Sequence, residues 1–392
     1  MKTPDADIKP LVHPDEFVDL DEIIHLCTGG EAPWLKIQEK VFAEFAQLKS
    51  AGYDGRSKIY ARGEQCRQKM GKLWKVPAHR IAFMPSAAEG MNWLARGLDW
   101  REGDNVVTTN LEFPSVAYAW KHLRSQGVDI RLIPHSNWMV NEIDLLNATD
   151  DRTRVLAVSH VSFYTGQCLN LEQLSEGIRD YHTLLAVDAT HSSGVVEVAA
   201  ELTDLTVSSS YKWMLATHGV APCYFSERAE TETKVTCFGW HNLSVWPEQG
   251  AERLANAPEK PMPGKLEPGN PAMLVVMHLD QALEILLSVG TAKISDHARS
   301  LSKQVSDGLK DLGFIVISPQ NYDSRSGNTC FQLSNAKEMQ NQLAERGILC
   351  WGEYGRVRIS THLYNGSNDV RRFLEVLSEL KSEALIVDTD RK

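Results

Sequence analysis

Three short segments carry residue types that could act together on one molecule. Val207-Ser208-Ser209-Ser210-Tyr211-Lys212-Trp213-Met214 sets a lysine behind three serines and a tyrosine. A lysine at the open edge of a sheet is partly desolvated there, which lowers its pKa and frees the amine to form a Schiff base. Twenty-four residues earlier, Leu184-Leu185-Ala186-Val187 ends in Asp188, followed by Ala189-Thr190-His191. A carboxylate closing a buried apolar run is costly without a positive partner, and a protonated ring nitrogen is such a partner. The third segment is Ser86-Ala87-Ala88-Glu89-Gly90, directly after Arg80–Pro85. Ser86 is a good N-cap, with Glu89 placed to complete a capping box. Free amides opening such a helix form an anion site at the positive end of its dipole.

Each segment also has a plain structural reading: a solvated lysine, a turn-capping aspartate, an ordinary helix start. Taken in order they match the needs of one cofactor. Pyridoxal phosphate requires an anion site for its phosphate, an acid for its pyridine nitrogen and a lysine for its aldehyde.

Positioning these groups requires strands that end together. β-Rich runs recur at Arg80–Pro85, Asn105–Thr109, Asp129–Ile133, Arg154–Ser159, Leu184–Asp188, Asp204–Ser209 and Gly219–Phe225. Several are almost continuously apolar, as strands buried on both faces of a mainly parallel sheet are. With helical stretches between several of them they imply α/β architecture, whose ligands bind beyond the carboxyl ends of the strands. After Pro268-Gly269-Asn270-Pro271 the pattern changes. An apolar helix over about 272–290 leads into an amphipathic one through Ile294, Ala298, Leu301, Val305 and Leu312. Strands at Phe314–Ile317, Thr329–Leu333 and Val357–Ser360 follow, and Val370, Phe373, Leu374, Leu377 and Leu380 mark one face of a last helix. We expect a large domain over 20–271 and a smaller α+β domain from 1–19 and 272–392, with 272–290 as the linking helix.

Composition excludes other classes. The chain has 392 residues, 41 basic and 51 acidic, for a net charge of −10. That field disfavours nucleic acid and anionic membranes as partners. The apolar runs around Met273–Met277 and Leu283–Leu287 are broken by His278 and Asp280, short of a membrane span. The first residues lack a signal-type apolar run, and seven scattered cysteines without a Cys-x-x-Cys pair argue against zinc or a disulfide framework. A cytoplasmic protein is expected.

Val187-Asp188-Ala189-Thr190-His191, Ser209-Ser210-Tyr211-Lys212 and Val357-Arg358-Ile359-Ser360-Thr361-His362-Leu363-Tyr364-Asn365 resemble the class V aminotransferases of fold-type I. That group includes cysteine desulfurases, selenocysteine lyases, isopenicillin N epimerase-like proteins and kynureninases. The resemblance runs from His25-Leu26-Cys27-Thr28-Gly29-Gly30 to the helix after Asn365. It implies a seven-stranded, mainly parallel sheet in the large domain and an α-amino acid substrate. Lys212 would carry the cofactor, Asp188 would pair with its pyridine nitrogen, and His191 would lie near its phenolic oxygen. The Ala87 and Ala88 amides with the Ser209 and Tyr211 side chains would hold the phosphate. Arg358 would take the substrate α-carboxylate. Asn270 stands where relatives reach a neighbouring subunit's phosphate, which implies a homodimer with a shared active site.

Departures from the desulfurases narrow the activity. Phe113, in Asn110-Leu111-Glu112-Phe113, replaces the histidine that stacks on the cofactor; it can stack but cannot move protons. Phe163 replaces an asparagine, and Cys350 falls in an apparent strand ahead of the loop where desulfurases carry their nucleophile. The reaction expected is β-elimination of C–S lyase type without a catalytic cysteine. Transamination and epimerisation are the alternatives, followed by a kynureninase-like hydrolase or a non-catalytic member. Tyr164, His218, Trp240 and His241 are candidates for further pocket groups.

Overall fold

The computed structural model describes residues 7–245 and 258–389, so residues 1–6 and 390–392 of the expected smaller domain lie outside the described residues. Its principal sheet has seven strands: β1 (Ile81–Met84), β2 (Asn105–Thr109), β3 (Asp129–Ile133), β4 (Thr153–Ser159), β5 (Leu184–Asp188), β6 (Leu205–Val207) and β7 (Ala221–Phe225). Their spatial order is β1-β7-β6-β5-β4-β2-β3. β7 runs antiparallel to both its neighbours and the remaining pairs are parallel.

The apolar runs follow from burial on two sides. Leu184 and Ala186 of β5 enter one core cluster, and Leu185 and Val187 enter another. A strand covered on both faces has no polar side to show. In register, Ser159, Asp188 and Val207 stand abreast at the ends of β4, β5 and β6. The sheet thus delivers a carboxylate and a hydroxyl to one edge.

Helix α1 (Glu39–Ser50) precedes α2 (Gly52–Trp74), and α3 (Ala87–Gly97) follows β1. Met91, Leu94 and Ala95 of α3 pack into the core over β6 and β7. Gly90 is required for that approach: a Cβ there would lie 2.9 Å from Val207 Cγ2 and 3.1 Å from Cys223 Sγ. The N-terminus of α3 is thereby pressed against the strand that leads to Lys212.

Beyond the sheet, α4 (Met273–Val289) packs along α2, and α5 (Thr291–Asp311) follows. Three antiparallel strands, β8 (Asn328–Gln332), β9 (Trp351–Glu353) and β10 (Arg356–Ser360), are arranged β9-β10-β8. They share a core with α5 and the last helix, α6 (Ser367–Thr389), through Leu301, Val305, Phe331, Val357, Ile359 and Phe373. No single helix among the described residues is long and apolar enough to cross a membrane.

Two local expectations need correction. Phe314–Ile317 is no strand: Val316 makes only an isolated bridge to Phe331, because this stretch leaves α5 and meets Pro319 within a few residues. The strand assigned to Asp204–Ser209 stops at Val207, where the hydroxyl run starts bonding within its own loop. Ser210 Oγ lies 2.8 Å from both Thr217 O and Val220 O and shares its one proton between them.

Candidate active site

The carboxyl ends of β1, β2, β4, β5 and β6 converge on a cavity of about 150 Å³. Ser86, Ala87, Ala88, Phe113, Ser159, Phe163, Asp188, Thr190, His191, Ser209, Tyr211 and Lys212 line it. At one end α3 begins: Ser86 Oγ accepts from Glu89 N at 3.3 Å, while the Glu89 side chain lines a different cavity. The cap therefore forms through the hydroxyl, leaving the Ala87 and Ala88 amides in a first turn that points at the cavity.

Lys212 is 8% exposed, and no carboxylate among the described residues lies within ion-pair distance of it. Its Nζ stands 3.2 Å from His191 Nε2, 5.5 Å from the Phe113 ring centre and 5.6 Å from that of Tyr211. Burial, with the charge of Arg358, pushes its pKa down to about 8. A buried amine that sheds its proton this readily is suited to attack a carbonyl.

His191 is kept neutral, well below its usual range, by burial first and then by the nearby positive charges of Lys212 and Arg358. Trp213 Nε1 at 3.4 Å and Asn328 Nδ2 at 3.1 Å both donate to His191 Nδ1. Asn328 is oriented in turn by Ser360 Oγ, which donates to its Oδ1 at 2.7 Å. With Nδ1 accepting, the neutral ring carries its proton on Nε2, facing Lys212. Asn328 and Trp213 were not singled out from the sequence. Trp213 adjoins Lys212, but Asn328 arrives from another sheet, 137 residues beyond His191.

Asp188 is 4% exposed. Its Oδ1 accepts from Thr190 N at 2.8 Å, and burial raises its pKa against the pull of Thr190 and Lys212. Beside it, Glu112 Oε1 accepts from Ser159 N at 2.8 Å, and Ser159 Oγ donates to Oε2. Burial pushes the Glu112 carboxyl up to about 7. A raised folded-state pKa contributes stability that is full below the unfolded value and lost as pH climbs through the folded one. Between pH 4.5 and 8, unfolding free energies should therefore shift in favour of Glu112→Gln over the parent by on the order of 1–3 kcal/mol. Parallel curves from urea titrations across that range would refute this.

Arg358 lies just past the cavity, 3% exposed, and its Nη1 donates to Phe163 O at 2.9 Å. The 28–30 turn closes on it: a Cβ on Gly29 would lie 2.8 Å from Ser360 Oγ and 3.1 Å from Arg358 Nε. Asn270 does not line the Lys212 cavity; its Oδ1 accepts from Tyr60 Oη at 2.6 Å on another face. Tyr164, His218, Trp240 and His241 lie outside the cavity lining as well. Tyr164 stacks on Trp138, His218 pairs with Glu31 at 3.3 Å, and His241 Nδ1 meets Glu267 O at 3.0 Å.

The profile of the aminotransferase class-V family matches residues 35–373. The chain belongs to that family. It is 24% identical over 341 residues to a probable cysteine desulfurase of Methanothermobacter thermautotrophicus, covering 81% of this chain and 83% of that one. A second probable cysteine desulfurase, from Pyrococcus abyssi, is 25% identical over 339 residues, covering 81% and 82%. Among solved structures, the apo cysteine desulfurase of Thermococcus onnurineus NA1 superimposes with a TM-score of 0.86 at 20% identity, covering 93% of this chain and 96% of that one. The cystine C-S lyase C-DES, in complex with its product cysteine persulfide, gives 0.84 at 20% identity, covering 92% and 99%. These structures share the fold.

Class-V enzymes depend on pyridoxal phosphate, and the cavity fits that group. A helix start offers amides for a phosphate, and neither the buried aspartate nor the buried lysine makes a close ion pair among the described residues, each feeling the other only at a distance. Each is costly alone and satisfied by a phosphorylated pyridine aldehyde.

Proposed function

We propose that this class-V enzyme eliminates a β-substituent from an α-amino acid, as a C–S lyase that uses no catalytic cysteine. One observation carries the reading: no thiol lines the Lys212 cavity among the described residues. Cys350, between Leu349 and β9, is 4% exposed in the core of the three-stranded sheet, and burial holds its thiol far above the range of a nucleophile.

When bound, pyridoxal phosphate supplies an electron sink for charge developing at the substrate Cα. The protein's part is to hold and move protons around it. The Ala87 and Ala88 amides, with the Ser209 and Tyr211 hydroxyls, would bind the phosphate. Asp188 would keep a proton on the pyridine nitrogen, and His191 would present its Nε2 proton to the phenolic oxygen. Phe113 covers the ring and excludes water. Arg358 binds the α-carboxylate through its planar fork. Lys212 Nζ would hold the aldehyde and, once free, would serve as the base for the Cα proton.

The test is a panel of amino acids given to the holoenzyme, with pyruvate, other keto acids, sulfide and loss of chirality measured together. Sulfide with a keto acid is the expected result; loss of chirality alone, or amino-group transfer, would replace elimination with epimerisation or transamination. Cys350→Ala should keep sulfide release within about twofold, since a buried thiol of this kind is a packing group. A folded variant without that release would restore a persulfide route.

Asn270 would reach the cofactor phosphate of a second copy, completing an active site shared across a homodimer. Size-exclusion chromatography should find two chains, and a monomeric holoenzyme would sink that arrangement.

A further inference from the structure

The wall that β10 turns toward Phe163 buries two guanidinium groups. Arg356 and Arg358 are alternate residues of β10, so their side chains leave the same face of the sheet about 7 Å apart. Arg356 is 1% exposed, and none of its three guanidinium nitrogens has a hydrogen-bond partner among the described residues. The Nε of Arg358 is equally unpartnered. Among the described residues, no aspartate or glutamate is one of the leading charges acting on either group.

Arg356 is instead held between rings. Its Cζ lies 3.3 Å from the ring centre of Tyr164, 4.7 Å from that of Trp351 and 5.6 Å from that of Phe163. Ring faces attract a cation but accept nothing at the edges of the guanidinium plane, where its N–H groups point. A clamp needed only for packing is made more cheaply from apolar side chains. Two like charges buried in one wall leave it short of two negative charges. The α-carboxylate on Arg358 supplies one.

We propose that Arg356 binds a second anionic group of the substrate, so that the enzyme prefers α-amino acids whose side chains carry an oxyanion. The inference rests on the assignment of Arg358 to the α-carboxylate. Tyr164 and Trp351 cover the guanidinium faces, and its N–H groups, unpartnered among the described residues, are the ones a bidentate acceptor would use. Phe163 joins the two regions, since its ring lies 6.5 Å from that of His191 on the cavity side and also borders Arg356.

Succinate and butyrate, titrated into the holoenzyme by calorimetry and followed by tryptophan fluorescence, separate the outcomes without turnover. Succinate should bind at least about tenfold more tightly than butyrate. Arg356→Met should bring the two within about twofold, and Arg356→Lys should keep part of the difference. Equal affinities in the parent enzyme, or a preference that survives in Arg356→Met, overturn the proposal. The parent comparison decides even where the variants fail to fold. Butyrate binding that is lost in Arg358→Leu, without any succinate advantage, removes the Arg356 site alone. Binding of neither acid removes the Arg358 assignment and this inference with it.

Discussion

Lys212→Ala should abolish turnover and, with it, any borohydride-stable attachment of the cofactor. Two losses coincide in that variant. The amine that forms the covalent link is gone, and with it the cavity-lining amine whose pKa, about 8, suits proton transfer at neutral pH. General-base catalysis alone is worth about 10²- to 10⁴-fold, so the loss should exceed that range. His191 is no substitute, because it is buried, neutral and bonded on Nδ1. The cofactor should still bind, held by the α3 amides and Asp188, and appear as free aldehyde in the visible spectrum. Normal turnover in Lys212→Ala would refute the assignment.

The second large effect is on stability. Arg67 of α2 and Glu267 are 5% and 3% exposed, and Arg67 Nη2 donates to both carboxylate oxygens, at 2.8 and 2.9 Å. Glu267 Oε1 also accepts from Phe83 N at 2.7 Å, and the guanidinium lies 4.4 Å from the Phe83 ring centre. One carboxylate thus ties α2 and β1 to the segment that carries Asn270. Glu267→Ala leaves Arg67 charged and buried with only the Ile81 carbonyl and the exposed Glu64 carboxylate, 3.0 Å from its Nε, as partners, which costs up to about 3–5 kcal/mol. Urea titration of the variant should show that loss. Arg67→Met combined with Glu267→Leu should recover most of it, because a buried pair is often replaced by apolar groups at little cost. A double variant as unstable as Glu267→Ala would contradict this account.

The strands and the central residues were legible because each is dictated locally. β5 reads as continuous apolar residues because both its faces are covered, and Asp188 stands out because charge ends that run. Lys212 is marked by its hydroxyl-rich approach. The Phe314–Ile317 error is a local one too: apolar residues beside a helix end look like a strand until Pro319 is taken into account. Asn328, Glu112 and Arg356 were missed for another reason. Asn328 matters only because β8 lies beside β10 and places Ser360 against it. Arg356 stands in plain view two positions before Arg358, but its missing counter-ion is a property of everything packed around it. Such features belong to tertiary neighbours, and spacing along a chain does not encode them.

The site's two walls are completed at different moments of the chain's life. The sheet wall, with Asp188 and Lys212, is built from residues 81–225, which can pair as soon as they have been synthesised. The opposite wall is held by contacts between distant parts of the sequence. Ile8 N donates to Ser367 Oγ and Leu11 N to Leu363 O, while Leu26 O accepts from Ser360 N. Pairings this far apart are slow to form and wait for the last part of the chain. A C-terminally truncated chain therefore lacks the contacts that hold the pocket for the carboxylate, and competence to recognise substrate arrives last.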